Sequence, residues 1–385
     1  MKKRILSVIL SALMLTACGE KKEEPKELVL FTSYQNVYEN GKIYSAGLDA
    51  NRVTRFLDFA SLETAPFCAV PNCTHSISSS ECLSRVAGER PFLVGDSVYF
   101  FINNGNITGG EIIETPEGRE FYMESKLMKA SLDSSATELV CEFNDALARS
   151  DGGILLIGDM LYFIAFDPDV QFDETGGTSW GGCGGYDYLY SINVKTGEYT
   201  NYGSICYVED EYPAADKSAS AQLEGYYDGK LWIAYAFAKE EPEIDENGFP
   251  VTNPEFTKYM FSFDPEVKEY VKTDMPYPNI ITEEYYTYRD EETEKVNVIS
   301  GDKTYTTGLD YCELIANNKV FYSDLNGCWW CSIGEETVYA LNEEYKGYSV
   351  VAFHDGKYVL FNNRKAVKLS EEELIANSTI VEEEN

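Results

Sequence analysis

Histidine is nearly missing from this chain, with His75 and His354 the only two in 385 residues. Chemistry built on three or more imidazoles is therefore excluded, and acid–base work by histidine is confined to two positions. Positive charge is also scarce, with 31 Lys and Arg against 65 Asp and Glu and a formal net charge of −34. A field of that sign opposes nucleic acid and anionic headgroups, so no nucleic-acid partner is expected, whereas solubility and cationic partners are favoured. No G-x-S-x-G, H-E-x-x-H or P-loop pattern occurs, and the reactions those spacings serve go unsignalled. Helical periodicity is almost absent, the one short helix expected being Glu371 to Ala376. Beyond the first residues no apolar run reaches transmembrane length.

Those first residues are distinctive. Met1-Lys2-Lys3-Arg4 gives a cationic start, Ile5 to Leu15 an apolar run too short to span a bilayer, and Leu15-Thr16-Ala17-Cys18 a lipobox. Residues 1–17 are expected to be a lipoprotein signal peptide. Residues 18–27 follow as a cysteine and a polar, acidic tether, Glu20-Lys21-Lys22-Glu23-Glu24-Pro25-Lys26-Glu27, and residues 28–385 as the folded domain. Everything after the tether is expected outside the cytoplasm.

Apolar residues make up 44% of the chain and aromatics 14%, which is enough to build a core despite the acidity. A turn dipeptide followed by alternating apolar and aromatic residues recurs as Asn40-Gly41-Lys42-Ile43-Tyr44, Gly95-Asp96-Ser97-Val98-Tyr99-Phe100 and Gly158-Asp159-Met160-Leu161-Tyr162-Phe163. It returns as Asp228-Gly229-Lys230-Leu231-Trp232-Ile233, Asn317-Asn318-Lys319-Val320-Phe321-Tyr322 and Asp355-Gly356-Lys357-Tyr358-Val359-Leu360. Asn, Asp and Gly accept positive φ while the residues after them favour a pleated sheet, so each copy is a tight turn opening a strand. Strands ending in Asn193 and Asp264 then lead through a polar turn to a return strand, completing a four-stranded meander. The alternation over Ile280 to Arg289 and Lys295 to Gly301 supplies a degenerate unit without the dipeptide. The expectation is an all-β chain forming a single β-propeller of about seven four-stranded antiparallel blades, with six as the alternative. Pairing of Leu28 to Tyr34 with Ser378 to Val381 would close the ring. Extra length at Gly105 to Arg119, Asp167 to Gly185 and Lys239 to Pro254 belongs to loops.

Of ten cysteines, setting Cys18 aside leaves an odd number. Cys68, Cys73, His75 and Cys82 lie within fifteen residues, with Pro71-Asn72 positioned to turn the chain. Three thiols and an imidazole at this spacing match a structural zinc site; a disulfide between two of the thiols is the competing reading. Cys141, Cys183, Cys206, Cys312, Cys328 and Cys331 then remain, an even number that allows three disulfides. Cys328-Trp329-Trp330-Cys331 has C-x-x-C spacing but falls on an expected strand, which favours structural thiols or a local crosslink over redox chemistry.

The lipobox, the acidic tether, the repeats typified by Asp228 to Ile233 and the cluster from Cys68 to Cys82 together resemble lipoproteins of Gram-positive anaerobes. Their propeller domain is similar to that of low-density lipoprotein receptor-related proteins, and the likeness covers nearly the whole mature chain. It implies that Cys18 becomes the mature N-terminus and carries a diacylglycerol. Palmitate-type chains would then hold the domain at the extracytoplasmic face of the cell membrane, since two or more acyl chains anchor stably where one does not. The YWTD tetrapeptide of the receptor blades is absent, so receptor ligands are not implied.

His354 precedes Asp355-Gly356 and reads as a turn residue, so no catalytic residue is assigned. Asp167-Pro168-Asp169 and Asp173-Glu174 read as an acidic loop that is solvated or, without regular EF-hand spacing, holds calcium, and Trp180, Tyr226-Tyr227 and Tyr285-Tyr286 as strand packing or a stacking surface. The function expected is a lipid-anchored binding module for a protein or glycan ligand, without catalysis. A polysaccharide hydrolase or lyase with carboxylates in the central channel, and an envelope assembly scaffold, are the alternatives.

Overall fold

The computed structural model describes residues 29–32, 42–45, 55–66, 68, 72–75, 82, 91–94, 97–104, 111–116, 118–131, 137–149, 152–168, 171–172, 178–179, 185–205, 220–238, 256–362 and 365–381. Cys18, the signal and tether segments, Trp180, Cys183, Cys206 and 239–255 lie outside them. Nearly every regular element is a strand, and among the described residues seven antiparallel sheets have three or more strands.

In chain order the first sheet holds Lys42–Ser45, Arg55–Asp58 and Glu63–Pro66. The second holds Phe92–Val94, Ser97–Asn103, Ser125–Ser131 and Thr137–Phe143, and the third is built on Ile154–Ile157, Met160–Pro168, Gly185–Asn193 and Tyr199–Ser204. The fourth comprises Ser220–Tyr227, Lys230–Ala238, Phe256–Asp264 and Glu269–Thr273. Pro278–Ile281, Tyr286–Arg289, Val296–Ser300 and Lys303–Thr306 make the fifth, where the degenerate repeat was expected. Leu314–Ala316, Lys319–Ser323, Cys328–Ser332, Tyr339–Leu341 and Ser378–Ile380 make the sixth, and Ser349–His354, Lys357–Phe361 and Ala366–Ser370 the seventh. Strand number therefore departs from a uniform four.

The local chemistry of the repeats is visible in the backbone. Asp228, Asn317, Asn318 and Asp355 have positive φ, followed by Gly229 and Gly356 in the same region, as tight hairpins of this kind require. At the outgoing turns Asn193 and Asp264 each accept backbone N–H groups two and three residues on, an Asx turn that stops the strand and reverses the chain. Asp58, Asp290 and Asp324 do the same. The short helix is Glu371–Ala376, fixed by a capping box between Ser370 and Glu373.

Apolar clusters form where consecutive sheets meet. Phe100, Phe143, Phe163 and Tyr190 join the second to the third, Leu155, Leu223, Ile233 and Phe261 the third to the fourth, and Trp232, Met260, Ile281 and Tyr286 the fourth to the fifth. Val298, Leu309, Val320 and Cys331 link the fifth to the sixth, and Phe321, Trp330, Tyr358 and Leu360 the sixth to the seventh. The seventh then packs on the first through Val359, Ala352, Leu57 and Phe59. Among the described residues the first sheet reaches the core of the second through the half-buried Phe56.

The expected pairing of the chain ends is not found. Val29–Thr32 instead pairs with Ile154–Ile157, where an apolar strand meets a fully buried apolar partner. Ser378–Ile380 follows the short helix directly and docks nearby on Tyr339–Leu341. No described helix is long and apolar enough to cross a membrane.

Candidate metal centre

The segment between the first and second sheets carries Cys68, Cys73, His75 and Cys82, and the fold brings their donor atoms within 4.8 Å of one another. Cys68 continues from the strand Glu63–Pro66, its N–H donating to the Pro66 carbonyl at 2.9 Å. Asn72 and His75 both adopt positive φ, 59° and 51°, so the backbone departs from an extended path at both positions. The Cys73 sulfur faces the His75 N–H, which donates to it at 3.4 Å, and the His75 Nδ1 lies 3.3 Å from the Cys82 sulfur. Cys82 is buried. Burial pushes its thiol up to about 12, and the adjoining Cys73 and Cys68 thiols add to the rise. Such a thiol becomes a ligand only by losing its proton to a metal. Tetrahedral zinc with sulfur at about 2.3 Å places donors about 3.8 Å apart, which this cluster accommodates. The group could hold a metal ion.

The other cysteines behave differently. Cys141, Cys312, Cys328 and Cys331 are free, buried thiols, so the three disulfides allowed by parity are not formed among the described residues. Cys328 and Cys331 cannot crosslink locally, because an odd separation on a strand sends them to opposite faces. One lies in the cluster between the sixth and seventh sheets and the other in that between the fifth and sixth. Burial pushes Cys331 up to about 11 and Cys328 up to about 12, away from thiolate chemistry.

His354 was expected in a turn but closes the strand Ser349–His354, one residue before the hairpin turn; its Nε2 lies 3.2 Å from the Asp355 carboxylate and its ring lies against Phe59. Tyr227 and Tyr286 sit in the core between the fourth and fifth sheets, with Tyr226 and Tyr285 packed on neighbouring clusters, so they form no stacking surface.

Two groups were missed in the sequence. A register shift between Leu223 and Gly225 makes Glu224 the extra residue of a β-bulge. Gly225 is needed there, since a Cβ would lie 2.7 Å from the Ile281 carbonyl of the fifth sheet. Glu224 accepts a hydrogen bond from the Tyr277 hydroxyl at 3.1 Å, and the Lys258 ammonium stands 4.3 Å above the Tyr277 ring. Burial raises the Glu224 carboxyl to about 7, against the opposing pull of Tyr277 and Lys258. The second group is an aromatic-lined groove between the fifth and sixth sheets, formed by Tyr311, Tyr322 and Trp329 among others. No motif marks either, although alternation alone places Trp329 on the face opposite Trp330.

No protein-family model matches the chain, and no curated protein matches it. Among solved structures it is similar to an ACO/RPE65 chimera, at 9% identity and a TM-score of 0.36, covering 89% of this chain and 73% of that one. A Pyrococcus horikoshii acylaminoacyl peptidase has 13% identity and a TM-score of 0.38, with 75% of this chain and 51% of that chain covered. An oligogalacturonate lyase in complex with manganese has 13% identity and a TM-score of 0.30, with coverage of 69% and 61%. These likenesses transfer no activity. The expectation of a module without catalysis is withdrawn: the similar structures include an oxygenase-derived chimera, a peptidase and a lyase, and a likeness of fold alone lends no support to an absence of catalysis. The physical reason is that catalytic groups are assembled from distant strands, so a missing linear motif never excluded them.

Proposed function

We propose that this chain is a zinc protein in which Cys68, Cys73, His75 and Cys82 hold the metal as a structural fastening. The observation that carries this reading is the convergence, among the described residues, of three thiols and one imidazole within 4.8 Å. Bound zinc supplies cross-linking and no open coordination position, which is the chemistry of a structural site. The fastening falls between the first and second sheets, where the half-buried Phe56 packs on the core of the second. Metal ligation there does what an apolar cluster does at the other junctions.

The succession of sheets is read as a seven-bladed β-propeller, supported by the packing of each sheet on the next and of the seventh on the first. The domain is read as held by a lipid on Cys18 at the extracytoplasmic face of the membrane, supported by Leu15-Thr16-Ala17-Cys18 and the cationic start. Elemental analysis of the purified chain tests the metal. About one zinc per chain is expected, with loss of most of it in Cys82→Ser. A zinc-free protein with Cys68, Cys73 or Cys82 crosslinked in mass spectra would sink the idea.

A second reading, polysaccharide hydrolysis or elimination, is favoured by Glu224. Its strand Ser220–Tyr227 is the edge strand of the fourth sheet and touches Val29–Thr32 and Ile154–Ile157 of the third and Pro278–Ile281 of the fifth. An edge strand so placed is the innermost strand of its blade in a propeller. A partly accessible carboxyl near neutrality, with a phenol at 3.1 Å, can give or take a proton at working pH. Activity on a glycan panel would inflect near pH 7 and vanish in Glu224→Gln with zinc content unchanged. Activity indifferent to that substitution removes Glu224 from the chemistry.

A further inference from the structure

The groove between the fifth and sixth sheets has a volume of about 630 Å³, within the range of small-molecule sites. Its wall is a row of π systems. The Arg289 guanidinium lies 5.1 Å from the Tyr311 centroid, Tyr311 and Tyr322 are 5.5 Å apart, and Tyr322 and Trp329 stack at 5.6 Å with 19° between planes. One end of the row is therefore already capped by a cation. At the other end the register sets Ala340 opposite Trp329 and Thr379 opposite Ala340. A one-carbon side chain leaves the indole face turned away from Tyr322 without a large cross-strand neighbour. The groove also takes in Val338 and Val381, which line that side with apolar surface.

Electrostatics select among occupants. Asp310 and Glu336 both line the groove, and Lys295 neutralises one of them, donating to Asp310 at 3.0 Å and to the Gly308 carbonyl at 3.1 Å. The Glu336 carboxylate is left exposed, in a chain of net charge −34. Gly308 closes the floor: a Cβ there would lie 2.1 Å from the Glu336 carbonyl, so only glycine lets the two backbones meet. A metal ion lacks converging free carboxylates, because Asp310 is engaged. An organic cation with an apolar skin finds an indole face, aliphatic walls and a carboxylate together, and tryptophan is the strongest cation–π partner.

We propose that this groove binds a small organic cation of the quaternary ammonium type, its head against the outer face of Trp329 and its charge balanced by Glu336. The site is independent of the metal centre.

Calorimetric titration of the whole chain, read in parallel by tryptophan fluorescence, tests it with choline, its uncharged isostere 3,3-dimethyl-1-butanol, and glucose. Choline is expected to saturate and to bind at least about tenfold more tightly than the isostere or glucose. Trp329→Leu should weaken choline by about fivefold or more, and Glu336→Gln by about two- to fivefold. Glu336 is exposed, so its substitution leaves folding intact even if the Trp329 variant is unstable. Isostere or glucose binding as tightly as choline, no saturation by about 20 mM choline, or unchanged affinity in Glu336→Gln would each overturn the proposal.

Discussion

Replacing Glu224 by Gln should make this protein more stable at alkaline pH, the opposite of what removing an ion-pairing residue usually does. The carboxyl stands at about 7 rather than its ordinary 4.5, and burial is the main cause. A carboxyl raised in this way holds its proton more tightly in the folded than in the unfolded chain. Its contribution is therefore most favourable below about 4.5, and stability falls as pH rises through about 7. The rise from 4.5 to about 7, at about 1.4 kcal/mol per pH unit, sets an upper limit of about 3–4 kcal/mol. Partial solvent access reduces it, and a change of about 1–3 kcal/mol is expected. Gln keeps the acceptor for the Tyr277 hydroxyl while carrying no charge. Urea unfolding of wild type and Glu224→Gln at several pH values between about 4.5 and 8.5 isolates the effect, because the difference cancels the titration of all other groups. The two should lie closest at the acid end, with the variant gaining between about 4.5 and 7 and the difference levelling off above that. Tyr277→Phe should steepen the wild-type dependence, since the hydrogen bond it removes favours the ionised form. A difference independent of pH, or one that grows on acidification, would refute the reasoning.

Further outcomes are specific. Asp187, 3% exposed, receives Arg149 at 3.0 Å and the Ala221 N–H of the fourth sheet at 2.6 Å, so Asp187→Ala should cost about 3 kcal/mol in denaturant unfolding. Ser370→Ala breaks the capping box of Glu371–Ala376 and should cost about 1 kcal/mol by the same measurement. Cys312, Cys328 and Cys331 should resist a thiol reagent in the native protein and react once it is unfolded; rapid labelling of the native state would contradict their burial. Chelation of the metal at the Cys68 to Cys82 cluster should lower the thermal midpoint in wild type and leave Cys82→Ser unmoved.

What could be read from the sequence was whatever is written locally. Asp228-Gly229 and Asp355-Gly356 announced their hairpins because positive φ is a property of those residues themselves, and the short helix expected at Glu371 to Ala376 is found there. The metal cluster was legible because its four donors fall within fifteen residues. Glu224 was not, since its raised carboxyl depends on a bulge and on Ile281 and Tyr277 of a later segment. Tyr311, Tyr322 and Trp329 converge from a loop and two strands, and nothing in their spacing distinguishes a groove from a core. The partner of Val29–Thr32 was misjudged for a related reason: Ser378–Ile380 and Ile154–Ile157 are both plausible strands, and only burial on both faces chooses between them.

That strand pairing sets an order of events. Val29–Thr32 emerges early in synthesis, yet its hydrogen-bonding partner Ile154–Ile157 lies more than a hundred residues downstream. Closing so long a loop carries an entropic penalty that local hairpins escape, so contacts of this kind form late. This first described strand has to wait, unpaired, while the first and second sheets are made and its partner follows. Folding of this segment thus lags well behind its synthesis, and its apolar Val-Leu-Phe stretch stays open to mispairing with a second copy in the meantime.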